Sequence, residues 1–364
     1  MTVVIAAGGT GGHLYPGLSL AEAFRVFDPT SRIIFIGTAS GMEATLLPAR
    51  GETFYAIQSA PWVGKSLKKR LMALGTIAKG LVQSLKLLRR LHPHVVVGIG
   101  GYAAGPVLLA AILMRWRRIV LEPNLMPGLT NRRLAPFVDR VVIAFEATRQ
   151  FLRGHIECLG VPVRASLMRT LRRPVTRLTL LVLGGSQGAH QINRAMMEAL
   201  PLLDQARVGI IHQTGQSDYE RVAAAYAREA PTATVLPYIE DMASAYARAD
   251  LVVSRAGAGT LAELAHVGLP AIFIPYPHAE MHQEKNAAVF VKAGAAVMIQ
   301  DRDVTGTALA EQIMRLIKIP EHRLDMARAA FELGRPNAAG NIVKLCHELA
   351  GIDPYPLRES MSHE

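Results

Sequence analysis

The chain has 364 residues, enough for two domains with cores of their own; half of it is hydrophobic and only 6% aromatic, as in an Ala/Leu/Val-rich α/β protein. A formal net charge of +11 points to anionic partners: nucleotides, nucleic acid or an acidic lipid surface. The longest apolar run, near residues 107–114, is too short to span a bilayer; no signal segment is expected ahead of the first strand, and Cys158 and Cys346 match no metal or redox spacing, which argues against a membrane-spanning protein or a disulfide scaffold.

In chain order, residues 2–7 read as a strand, Gly8-Gly9-Thr10-Gly11-Gly12-His13 as a glycine loop, and residues 14–27 as a helix. The spacing is not G-x-G-x-x-G and no acid closes the next strand, residues 32–37, so a dinucleotide reading is weakened. His13 stands where loop becomes helix. A helix N-terminus favours the neutral imidazole that a general base needs, whereas capping or packing in the first turn is the plainer role. Strand patterns at 53–58, 95–99, 119–122 and 140–144 alternate with helical ones, as in a parallel sheet covered on both faces. Two further polar or glycine-rich strand exits, residues 98–106 and 122–131, suggest a binding edge, because ligands of open α/β sheets lie beyond the carboxyl ends of strands.

Residues 65–91 stand apart. Leu67, Leu71, Leu74, Ala78, Leu81, Leu85 and Leu88 form one stripe at helical spacing, ringed by Lys65, Lys68, Lys69, Arg70, Lys79, Lys86, Arg89 and Arg90. Trp62 precedes the stripe, and Arg115-Trp116-Arg117-Arg118 repeats the aromatic-plus-basic theme. One reading is a core helix with a solvated basic face. The other is a patch that docks on anionic lipid, where each basic residue adds roughly 1 kcal/mol and both tryptophans suit an interface.

The pattern breaks near residues 159–164, and a basic, linker-like run reaches residue 177. A strand at 178–183 then enters a second glycine loop, residues 184–189, so the opening order of the chain is repeated. Strands at 209–213, 234–236, 251–253, 271–275 and 296–299, with helices at 305–318 (Thr305 as its cap) and 321–333, complete a second α/β half. Residues 341–349 read as a last helix that crosses back to the first domain. The most informative stretch is 251–286, LVVSRAGAGTLAELAHVGLPAIFIPYPHAEMHQEKN. Gly257 and Gly259 allow a sharp turn, and a helix over about 260–266 aims its free N–H groups at an anion. Glu263, one turn in, suits sugar hydroxyls better than phosphate, and residues 278–284 can hydrogen-bond a second sugar. The stretch reads as a nucleotide-sugar cradle; an ordinary βαβ unit with a glycine turn is the alternative. Asp301-Arg302-Asp303 has the D-x-D form of a metal signature but follows a strand away from the glycine loops, so no metal site is expected.

GGTGGHLYPGL (8–18), GIGGYAAGP (98–106), EPNLMPGLTN (122–131), GGSQGA (184–189), RAGAGTLAE (255–263) and HQEKNA (282–287) occur in a known order. Over nearly its whole length the chain resembles the MurG family, peripheral-membrane N-acetylglucosaminyltransferases of bacterial peptidoglycan synthesis. The resemblance implies a GT-B fold of α/β class, two Rossmann-like parallel-sheet domains facing each other across a cleft. Residues 1–160 would bind acceptor and membrane, with 337–364 packing back on them, and 161–336 would bind UDP-GlcNAc. It further implies inverting, metal-independent transfer of GlcNAc from UDP-GlcNAc to the C4 hydroxyl of MurNAc in lipid I, yielding lipid II at the cytoplasmic face of the inner membrane. No cofactor and no nucleic-acid partner is implied.

By motif, the resemblance puts Thr10, Gly11, Gly12 and Asn124 against the transferred GlcNAc or the acceptor side of the cleft, and Arg164, Ser186, Gln187, Ile239, Ala258, Gly259, Thr260, Leu261, Ala262, Glu263 and Gln283 around UDP-GlcNAc. Glu263 would take the ribose, Gln283 the GlcNAc hydroxyls, and Ser186, Gln187 and the Gly259–Thr260 helix end the diphosphate. His13 is the candidate base and Glu122 a weaker one with a structural role. The membrane patch would comprise Trp62, Lys68, Lys69, Arg70, Arg115, Trp116, Arg117 and Arg118. EPN stands where the family often has EQN, and Pro123 removes a side-chain amide and a backbone donor. Rival readings are a GT-B transferase with another acceptor, a UDP-GlcNAc epimerase of similar fold, and a basic nucleic-acid binder, the last disfavoured by the scarcity of aromatics.

Overall fold

The computed structural model describes residues 1–9, 11–60, 67–169, 177–185, 187–204, 206–277 and 282–353, the side chains of 67–73 excepted. The chain divides into two compact units: Met1–Ala165 with a return from Asn337, and Ser166–Pro336.

The first unit runs β1 (Thr2–Ala7), α1 (Gly11–Phe27), β2 (Arg32–Thr38), α2 (Glu43–Ala49), β3 (Phe54–Ile57), α3 (Leu67–Leu91), β4 (Val95–Gly100), α4 (Gly101–Leu113), β5 (Arg117–Glu122), α5 (Leu129–Leu134), β6 (Arg140–Ile143) and β7 (Ile156–Glu157). Its strands pair in the order β3-β2-β1-β4-β5-β6-β7, all parallel. The central strands are apolar throughout because helices cover both faces. Val3 and Ile5 join Leu20 and Phe24 of α1 on one face, while Val4 and Ala6 join Leu88 of α3 and Leu108 of α4 on the other. Sequence reading anticipates neither the two-residue β7 nor α2, both short and weakly periodic.

The α3 stripe is half right. Leu88 is buried and Leu81 and Leu85 are partly so, but Leu74 is 49% exposed and Ala78 is exposed as well. The packing face runs instead through Gly80 and Ser84. A side chain at Gly80 would collide with the Gln58 carbonyl, and Ser84 Oγ donates to the Gly80 carbonyl at 2.8 Å. Two small residues let the helix lie close, and that contact rotates the first part of the stripe outward.

The second unit runs β8 (Leu178–Leu183), α6 (His190–Ala199), β9 (Val208–Gln213), α7 (Tyr219–Glu229), β10 (Thr234–Leu236), α8 (Met242–Arg248), β11 (Leu251–Ser254), α9 (Ala258–Val267), β12 (Ala271–Phe273), α10 (His282–Lys292), β13 (Ala296–Met298), α11 (Gly306–Lys318) and α12 (Pro320–Leu333). The parallel order is β10-β9-β8-β11-β12-β13. Thr305 caps α11, its Oγ1 accepting from the Ala308 N–H at 3.1 Å. The last described helix, α13 (Ala338–Ala350), belongs to the first unit, where Ile342, Val343, Leu345 and Cys346 enter the core beside Leu20 and Phe24. Among the described residues no helix is long and apolar enough to cross a membrane.

Candidate active site

Each sheet reverses its order at one place, between β1 and β4 in the first unit and between β8 and β11 in the second. Loops leaving two such strands diverge and open a crevice at their carboxyl ends. The glycine-rich motifs sit at those exits.

In the first unit three motifs converge. Gly100 (φ +114°) and Gly101 (φ +75°) hold backbone that side chains resist, and a β-carbon at Gly101 would strike the Gly8 carbonyl. A β-carbon at Gly100 would lie 3.1 Å from His13 Nε2 and 3.2 Å from Asn131 Nδ2. Loops after β1, β4 and β5 therefore meet around the half-buried His13 ring. Gly11 and Gly12 open α1 rather than extending the loop, and Thr10 lies outside the described residues.

Glu122, 1% exposed, organises the β5 exit. One oxygen accepts from Asn124 N (2.9 Å) and Asn124 Nδ2 (3.1 Å), the other from Gly128 N and Asn131 Nδ2 (2.9 Å each). Burial pushes its carboxyl above the ordinary range, and the four donors oppose that push. A proton on either oxygen would displace a donor, so the group suits loop-building better than proton transfer.

A counterpart escaped the sequence. Glu43, fully buried at the start of α2, accepts from Gly9 N (3.1 Å), Thr38 N (2.9 Å) and Thr38 Oγ1 (2.8 Å) and is enclosed by Gly8, Gly37 and Gly41. It braces the first glycine loop. Arg164, expected with the donor domain, falls in the first unit and lies over the Tyr15 ring, 5.4 Å from its centroid.

In the second unit the β8 exit carries Gly185 (φ +82°) and Gly188 (φ +79°), with Gln187 exposed and Ser186 outside the described residues. At the β11 exit α9 starts at Ala258, two residues earlier than expected. A β-carbon at Gly259 would meet nothing within 4 Å, so that glycine answers no packing need of the protein and leaves room at the helix start. Thr260 and Ala262 are half-buried, whereas Leu261, 1% exposed, is core and offers only backbone. Glu263 is 9% exposed and accepts from Tyr246 Oη of α8 at 2.9 Å. Gln283 Oε1 accepts from Ala256 N (3.1 Å) and Tyr276 N (2.9 Å), leaving its amide nitrogen as the group to offer a ligand. Ile239 is buried, its N–H bonded to Gln213 Oε1 at 3.0 Å. Residues 278–281 lie outside the described residues.

Two expectations need correction. Asp301 is not remote from the glycine turn: Arg255 Nη1 pairs with Asp301 Oδ1 at 2.5 Å and donates to the Ile274 carbonyl at 3.0 Å. Its charge is matched by that guanidinium, and among the described residues no group of three His, Cys, Asp or Glu could hold a metal. In the basic patch, Arg118 is committed to the protein, donating to the Phe137 carbonyl (2.9 Å) and the Trp116 carbonyl (2.6 Å) beside Asp139. Trp116 is half-buried, edge-on to His92 at 5.9 Å. Arg115 and Arg117 are exposed, as are Leu113 (61%) and Phe137 (58%), which the sequence reading overlooked. Trp62 and the side chains of Lys68, Lys69 and Arg70 lie outside the described residues.

Two parallel Rossmann-like sheets, each with glycine loops at its reversal point, are the two halves of a GT-B fold, the architecture of one large class of glycosyltransferases. Residues 3–143 match the N-terminal domain of glycosyltransferase family 28 and residues 179–342 its C-terminal domain. The UDP-N-acetylglucosamine--N-acetylmuramyl-(pentapeptide) pyrophosphoryl-undecaprenol N-acetylglucosamine transferase of Anaeromyxobacter dehalogenans is 46% identical over 356 residues, 96% of this chain and 93% of that protein. The enzyme of the same name from Syntrophus aciditrophicus is 42% identical over 351 residues, 94% and 97% of the two chains. The crystal structure of Acinetobacter baumannii MurG superposes with a TM-score of 0.78 at 32% identity, covering 95% of this chain and 99% of that one. A putative UDP-N-acetylglucosamine 2-epimerase from Listeria monocytogenes, at 14% identity and a TM-score of 0.68 over 97% of each chain, shares the fold alone. The chain belongs to glycosyltransferase family 28 and, within it, to the MurG family.

Proposed function

We propose that the chain transfers GlcNAc from UDP-GlcNAc to the MurNAc C4 hydroxyl of undecaprenyl-pyrophosphoryl-MurNAc-pentapeptide, with inversion, producing lipid II. The relatives' shared name supports the reaction. The observation that carries the donor assignment is the open start of α9 at Gly259, with Glu263 one turn further in and held by Tyr246. The N–H groups of Ala258, Gly259 and Thr260 suit a diphosphate and would stabilise the charge that grows on the β-phosphate as UDP departs. Glu263 accepts from ribose hydroxyls, and the Gln283 amide nitrogen donates to the sugar. Ser186 and Gln187 complete the phosphate loop, and Ile239 reaches the base through its side chain or carbonyl. Leu261 and Ala262 serve through the backbone of α9.

On the acceptor side, His13 takes the hydroxyl proton as oxygen attacks the anomeric carbon, and Gly11, Gly12 and Asn124 shape the sugar site with Thr10. Arg164 extends this site from its place over Tyr15. Exposed Leu113 and Phe137 beside Arg115 and Arg117 favour peripheral docking on anionic lipid at the cytoplasmic face of the inner membrane.

The test is UDP release from UDP-GlcNAc, with and without a lipid I analogue, in EDTA. Release that requires the acceptor and survives EDTA is the expected result. Equal release without acceptor would overturn the transferase reading, and His13→Ala with undiminished turnover at saturating substrates would remove the base.

A further inference from the structure

We infer that Gln213 is a positioning residue of the donor site, its side-chain amide fixing the second glycine loop against the segment that carries Ile239. The inference rests on the donor assignment above. Gln213 ends β9 and is 4% exposed. Its Nε2 donates to the Gly185 carbonyl at 2.9 Å, and its Oε1 accepts from the Ile239 N–H at 3.0 Å. Both halves of one amide are thus spent on backbone groups of two separate strand exits, after β8 and after β10. Neither Gly185 nor Ile239 is near Gln213 in sequence, so only the fold brings the three together.

The surroundings make this side chain the spacer. Next along the chain, Thr214 N donates to the Leu236 carbonyl (3.0 Å) and Gly215 N to the Pro237 carbonyl (3.1 Å), which zips the β9 exit to the β10 exit. On the other side, glycine meets glycine: a β-carbon at Gly215 would lie 2.6 Å from Gly188 Cα, and one at Gly188 would strike the Thr214 carbonyl. No side chain can enter there. Asn193 Nδ2 holds the Thr214 carbonyl from behind at 2.9 Å, while its Oδ1 meets His212 Nε2 at 3.0 Å. Burial holds the His212 imidazole down at about 3, so this anchor stays uncharged across the working range. The β9 exit is a fixed post, and Gln213 is the arm that ties both donor loops to it. Loops tied before the ligand arrives cost less to order on binding.

A positioning role and a structural role separate in kinetics. Gln213→Leu and Gln213→Met each remove both bonds at similar volume. UDP affinity by calorimetry, KM for each substrate, kcat and Tm are measured on the full chain. The expected result for Gln213→Leu is a rise of about tenfold in the UDP Kd and in the donor KM, with acceptor KM and kcat within about threefold. Gln213→Met should match Leu, and it decides the matter if the Leu variant does not fold. Native chain that binds UDP while both folded variants bind it equally well overturns the Gln213 role alone. A fall in kcat that tracks lost folded fraction, with donor KM unchanged, also overturns it. Failure of the folded native chain to bind UDP would instead remove the donor assignment.

Discussion

Glu122→Gln separates loop-building from proton transfer at the acceptor side. The substitution keeps the volume and turns one acceptor oxygen into a donor. Whichever way the amide lies, its NH₂ faces two N–H groups, either Asn124 N and Nδ2 or Gly128 N and Asn131 Nδ2. Hydrogen bonds to a charged group contribute about 1.5–3 kcal/mol each. An asparagine amide can flip and offer its oxygen instead, and Asn131 Oδ1 has no partner among the described residues. The backbone N–H of Asn124 or Gly128 cannot flip. The expected net loss is therefore about 2–4 kcal/mol, which for a unit of this size lowers its melting point by roughly 5–15 °C. Calorimetry that resolves the two units should show this shift in the first unit and leave the second in place. Below the new midpoint, kcat should fall by no more than about tenfold, because the loop is distorted rather than stripped of a base. An unshifted melting point together with a thousandfold loss of kcat would refute the reasoning and make Glu122 the proton acceptor.

Tyr246→Phe removes the hydroxyl that holds Glu263; the donor KM should rise about three- to tenfold with kcat nearly constant, and an unchanged KM would mean Glu263 needs no support. Burial pushes the Asp28 carboxyl up, but the hydroxyls of Ser31 and Thr30, with the chain amino group and His347, outweigh it and hold it at about 2. Its stabilisation, about 2 kcal/mol, is full above the ordinary carboxylate value near 4 and is lost as pH falls through about 2. Asp28→Asn should flatten stability in that window, so coincident pH profiles would refute the assignment. Leu113→Ser with Phe137→Ser should weaken binding to anionic vesicles several-fold and spare UDP binding, whereas unchanged vesicle binding would dismiss that surface as the dock.

The strands and the glycine-rich exits were legible because both carry local signals. Strands covered on two faces need unbroken apolar runs, and a loop that meets another loop backbone to backbone needs glycine, as Gly101 does against Gly8. The residues that brace those loops were not legible. Glu43 reaches Gly9 across 34 positions, and Gln213 reaches Gly185 across 28, so no spacing rule connects them. The Arg255–Asp301 pair is hidden for the same reason: nothing local to Asp301 signals that it lies beside the glycine turn. On α3 the error was of another kind: leucine counted for more than glycine and serine, although close approach at Gly80 decides which face packs.

The return of α13 to the first unit has a consequence for synthesis. The second unit is an insertion within the first, entered after Ala165 and left before Asn337. On the ribosome, β7 is made well before α13, and at about 5–20 residues per second the interval is roughly 10–35 s. During that time the α1 face around Leu20 and Phe24 lacks the helix that later covers it. The nascent chain carries an unsealed apolar surface while a whole domain is appended, the condition in which a holding chaperone, or a slow codon tract, changes the yield of folded enzyme.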